Sequence, residues 1–173
     1  MVRQEAFQKR ICDKFGNDNR FILSYHGEGC TEQLAEYCQE KGYSNICLTG
    51  RYYPEDIEIF VADTDILLNL YENEGKQEHA LTVKLYDGIR YQLPMLVARD
   101  SFMEQYLKDY HFAKAIDLER VKPEEIIEWY FQLREDMLNL EFKRFAKQIE
   151  LDDEIFESKL MKFVGNKSVS YTH

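Results

Sequence analysis

The sequence lacks most of what would take a chain out of water or onto a charged polymer. No apolar run approaches the roughly 18 residues that suit a bilayer span, and no secretory leader is recognisable. Basic charge is scarce: 22 Lys and Arg stand against 32 Asp and Glu, a formal net charge of −10. A general binder of phosphate backbones needs a basic footprint, so nucleic acid is excluded as a bulk partner. The same acidity disfavours direct contact with an anionic membrane. An anionic ligand is still accommodated locally, at helix N-termini and a few cations. Cysteine is limited to Cys12, Cys30, Cys38 and Cys47, and no two have C-x-x-C spacing. They are expected to be reduced, partly buried thiols in a reducing compartment, with no zinc site. Repeats, low-complexity tracts and linkers are missing, as are a Ser/His/Asp set, a nucleophile elbow and a metal cluster.

What remains is enough for one domain. A chain of 173 residues can bury roughly 70% of its unfolded surface. With 12 Tyr and 11 Phe, its core or a cleft should be rich in rings. Residues 2–15 place Val2, Phe7, Ile11 and Phe15 on one helical face, closed by Gly16 and Asn17. Residues 20–25 (RFILSY) form an apolar run expected as a buried strand, ended by Gly27-Glu28-Gly29. A helix with Leu34, Ala35 and Cys38 on one face follows and stops at Gly42. A second strand is expected over 45–49, a short helix from Pro54, and a third strand over 65–70. A polar loop (71–79) leads to a helix over 80–91, a strand over 94–98, a helix capped by Asp100 or Ser101 to about residue 109, and a strand over 112–116. Residues 122–148 are helical, a helix restarts at Asp152-Asp153, and the last residues are expected to fray.

This rhythm predicts an α/β fold: a Rossmann-like, three-layer domain with a mostly parallel sheet of about five strands, plus C-terminal helices. The expected division is a Rossmann-like core over 1–121 and a helical extension over 122–173, packed on the same domain. In such sheets ligands sit outside the carboxyl ends of strands, so the loops of interest are 26–30, 50–53, 71–80 and 98–101.

Three segments could carry chemistry. Tyr25-His26-Gly27-Glu28-Gly29 joins a strand to a helix, where glycines admit a ligand close to the backbone. A plain βα turn would look the same. Gly50-Arg51-Tyr52-Tyr53 releases a guanidinium for phosphate oxygens and rings for a base, or an ordinary solvated arginine beside packed tyrosines. Thr82, Lys84 and Asp87 stand in one helical turn or so, where a cation suits a diphosphate and a carboxylate suits ribose hydroxyls. The bland alternative is an i, i+3 surface ion pair. His79, just before that helix, could donate to a phosphate. A receiver-type domain is disfavoured because Asp63 and Asp65 precede their strand rather than follow it. A Rossmann oxidoreductase is disfavoured by the incomplete glycine fingerprint.

In order and spacing, these segments resemble the C-terminal domain of GT-B glycosyltransferases, particularly the retaining family of bacterial capsule and lipopolysaccharide assembly. The matching blocks are FILSYHGEGCTEQL (21–34), SNICLTGRY (44–52), IFVADTDILLNLY (59–71) and KLYDGIRYQLPMLVA (84–98). The resemblance covers about residues 20–135 and implies a hexosyltransferase type of enzyme with a nucleotide diphosphate sugar as donor and no separate cofactor. It assigns Gly27, Glu28 and Gly29 to the glycine turn, Arg51 and Tyr52 to the base, Thr82 and Lys84 to the diphosphate, and Asp87 to the ribose. His79 stands where the family has a glutamate, and Gln92 where it usually has glycine. Arg3 matches the remnant of a further diphosphate grip. The family's acceptor site lies in a preceding N-terminal domain that would bring the acceptor glycan or lipid-linked sugar. The expectation is therefore a donor-binding half that is inactive alone, cytoplasmic, and peripheral to the inner face of the membrane in the full-length enzyme. The alternative is a degenerate, non-catalytic α/β interaction module.

Overall fold

The computed structural model describes residues 2–29, 31–71 and 81–167. Helix and strand alternate as the apolar pattern requires. α1 (Val2–Phe15), β1 (Leu23–His26), α2 (Thr31–Lys41) and β2 (Ile46–Gly50) come first. A 3-10 turn at Pro54–Asp56 then leads into α3 (Ile57–Ala62) and β3 (Leu67–Asn69). α4 (Val83–Tyr91), β4 (Met95–Ala98), α5 (Phe102–Leu107) and β5 (Ala113–Ile116) follow, and α6 (Pro123–Gln132) and α7 (Glu135–Lys167) close the chain.

The fold is α/β with parallel strands, but the expected single sheet is divided. β1 pairs in parallel with β2, while β3, β4 and β5 form a separate parallel triple with β4 central. Contacts of high sequence separation tie α1 and the approach to β1 to the chain beyond β5. Arg10 and Lys14 reach the side chain and carbonyl of Glu119, just beyond β5. Arg20, before β1, bonds Glu124 at the start of α6 at 2.8 Å. The pair and the triple nevertheless share one core, in which Leu23, Tyr25 and Ile46 pack with Leu68, Leu70 and Leu96.

The triple is covered on both faces, as the period-2 alternation of a strand dictates. Leu96 and Ile116 face a core shared with Phe7, Ile11 and Phe15 of α1 and Ile126 of α6. Met95 and Val97 face the other core, with Leu85, Phe112, Phe142 and Phe145. Each such fully buried side chain contributes roughly 1.5–3 kcal/mol relative to exposure. The pair is covered on one face: Leu34 and Cys38 of α2 pack there with Cys12, Tyr25 and Leu48.

Several boundaries differ from the sequence pattern for identifiable reasons. β1 begins at Leu23, not at residue 20, because the Asn45 amide bonds the carbonyls of Phe15, Asp18 and Phe21 and holds that stretch in a turn. The expected helix over 80–91 starts at Val83, since Thr82 is extended (φ −95°, ψ 155°). Ser101 caps α5 as expected, its hydroxyl accepting from the Glu104 N–H. The C-terminal break falls at Leu133, which is extended, rather than at Asp152-Asp153. There the chain passes from the α1 side of the triple to the opposite side. The Asp152 carboxylate instead accepts from Gln148 within α7, an i, i+4 contact the helix tolerates.

Candidate functional site

The structure sorts the expected site residues into two groups. The first gathers at the carboxyl ends of β1 and β2. Gly27 (φ 133°) and Gly29 (φ 116°) adopt backbone conformations that side chains disfavour, and the Gly27 N–H donates to the Gly50 carbonyl at 2.8 Å. Glu28 and Arg51 face each other at 3.8 Å, both largely exposed, a weak contact. Tyr52 sets its ring edge on Phe60 at 5.6 Å, and His26 stacks flat on the same ring at 3.7 Å. Burial beside that ring pushes the His26 pKa below its usual value, while its Nδ1 lies 3.0 Å from the Thr49 hydroxyl.

The second group lies at the start of α4, beyond the carboxyl end of β3. The Thr82 hydroxyl does not cap the helix; it donates to the buried Asn69 side chain at 2.8 Å. Among the described residues no side chain caps the first turn of α4. Lys84 does not pair with Asp87. Its ammonium donates to the Leu68 carbonyl at 3.0 Å and lies 5.8 Å from the centre of the Tyr71 ring. The residue is exposed along its stem, yet desolvation of its tip lowers its pKa. The i, i+3 surface ion pair is thus not formed, and Asp87 stays half-buried on the same helix. No described hydrogen bond or ion pair joins this group to Arg51. His79 lies outside the described residues, as does the side chain of Arg3.

A crevice of about 360 Å³ lies at the carboxyl ends of the triple, and Lys84 reaches it only through the ring of Tyr71. Tyr71, Arg99, Asp100 and Asp117 line it, with Phe7 and Arg10 of α1 across it. Asp100 is held left-handed (φ 60°), its N–H donating to Glu104 at 2.6 Å. Arg99 and Asp117 also line an adjoining hollow of about 220 Å³ with Lys114 and Arg120. Sequence reasoning marked the loop after β4 but did not single out Arg99, and it missed Arg10 and Asp117. Arg99 directly follows a strand end, which is a readable signal; Arg10 arrives only through the placement of α1.

Gln92, at the position where the resembled family carries glycine, is the C-cap of α4 in the left-handed region (φ 56°, ψ 39°). Glycine would adopt that conformation without strain. Among the described residues no group of three or more His, Cys, Asp or Glu could hold a metal ion, and no helix is long and apolar enough to cross a membrane. No protein-family model matches the chain, and no curated protein or solved structure shows significant similarity to it.

Proposed function

We propose that this chain is the donor-binding half of a glycosyltransferase, holding a nucleotide diphosphate sugar at the carboxyl ends of β3, β4 and β5. The observation that carries the reading is the crevice there, lined by Arg99 and by Tyr71, over whose ring the Lys84 ammonium lies. Ligands of open parallel sheets sit at this edge. A fixed cation suits the charge of a diphosphate, and the charge that grows on it as it leaves the sugar. The Asp87 carboxylate suits paired ribose hydroxyls, and Tyr71 offers a ring face. The glycine-like backbone at Gln92 supports the resemblance on which the donor class rests. An acceptor glycan or lipid-linked sugar would reach the anomeric carbon from a second domain, whose closure would exclude water and favour transfer over hydrolysis.

Calorimetric titration with UDP and with GDP tests the proposal. Binding of one of them at micromolar to millimolar concentration is expected, weakened about tenfold by Lys84→Ala and by Asp87→Ala. No binding of either nucleotide at millimolar concentration, with the fold intact, would overturn it. The second reading, a non-catalytic interaction module, is favoured by the exposed apolar residues of the second half of α7, and the same titration separates the two.

A further inference from the structure

The second half of α7 combines an uncovered apolar stripe with a divided charge. Phe142 and Ile149 pack into the core of the triple seven residues apart, and the same spacing continues to Phe156 and Phe163. Nothing among the described residues covers that continuation: every residue from Leu151 to Val164 is exposed. Phe156 is 64% and Leu160 46% exposed, one helical turn apart on the same side. Charge along this half is segregated. Glu150, Asp152, Asp153, Glu154 and Glu157 come first, and Lys159 and Lys162 follow.

We infer that this half of α7 binds the same half of a second copy of the chain, with the two helices antiparallel. The apolar stripe gives each copy a surface that gains by being covered. The charge order selects both the occupant and the direction. A parallel pairing would set the acidic run against itself. An antiparallel pairing sets each acidic run against the lysines of the other copy, and a two-fold axis makes the arrangement self-complementary. The contact runs over about 20 Å of helix and is smaller than a standard interface, so association is expected at roughly 1–100 μM.

Sedimentation equilibrium on the full chain tests this. The expected result is a reversible shift from the 20.7 kDa monomer to twice that mass as concentration rises. Leu160→Asp lies on an exposed surface, so it should keep the native helix signal while abolishing the dimer. The double variant Lys159→Glu/Lys162→Glu should weaken it by about tenfold or more. Carbodiimide cross-linking of a mixture of isotopically light and heavy chains should join the acidic run of one copy to Lys159 or Lys162 of the other. A monomer at about 300 μM would overturn the inference, as would a dimer that survives Leu160→Asp or cross-links confined to single copies. None of these outcomes depends on nucleotide binding.

Discussion

The strand pair and the strand triple are built from similar material yet are protected very differently. In β4, Met95, Leu96 and Val97 are at most 2% exposed, because helices lie on both faces of the triple. In the pair, Ser24, Cys47 and Thr49 are exposed on the uncovered side, and Ile22 just before β1 is 75% exposed. Strands buried on both faces read as continuous apolar runs, whereas half-buried ones alternate. MLVA in β4 and ICLTG in β2 follow that rule. The triple is thus the more deeply buried layer, and the pair packs on it through Leu23, Tyr25 and Ile46 in a core shared with α1. Placing the proposed ligand on the triple puts it on the more deeply buried of the two.

The largest effect should come from the core between the triple and α7. Phe112 is fully buried, with its ring centre 4.6 Å from Phe142 and 5.9 Å from Phe145. Phe112→Ala should cost about 3–5 kcal/mol in denaturant unfolding; a loss below about 1 kcal/mol would place the main core elsewhere. On the pair's side, a methyl group at Gly16 would come within 2.6 Å of the Cys12 carbonyl and 2.5 Å of the Tyr43 ring. Gly16→Ala should therefore cost about 1–3 kcal/mol, with faster hydrogen exchange in β1 and β2 and little change in β4. Equal acceleration in all strands would erase the distinction between the two regions.

A gain is expected at the end of α4. Gln92→Gly relieves a left-handed side-chain residue and should raise stability by up to about 1 kcal/mol, read as a higher midpoint of urea unfolding. The smallest effect concerns acid. The His26 pKa is lowered from 6.5 by burial on Phe60, so the native state binds its proton less readily than the unfolded chain does. Its contribution to stability is complete above pH 6.5 and is lost as the pH falls through the lowered native value. His26→Gln should flatten the pH dependence of stability in that window, and an unchanged slope would show that the stacked ring carries none of it.

The same contrast explains what was legible in the sequence. The strands of the triple were readable as short apolar runs, and Ser101 as a cap, because local pattern and final environment agree there. The division of the sheet was not readable. No local periodicity encodes which strands pair, nor that Arg10, Lys14 and Arg20 meet Glu119 and Glu124 more than a hundred residues away. The continuity of α7 through Asp152-Asp153 was hidden because helix propensity is a weak guide where the side chains are solvated.

Mapping UDP and GDP on the isotope-labelled chain by amide chemical shifts tests the central claim most directly. Concentration-dependent shifts are expected, centred on Tyr71, Lys84 and Arg99, needing about tenfold more nucleotide in Lys84→Ala and unchanged in Arg51→Ala. Shifts centred on Gly27 and Arg51, or none at millimolar nucleotide, would contradict it.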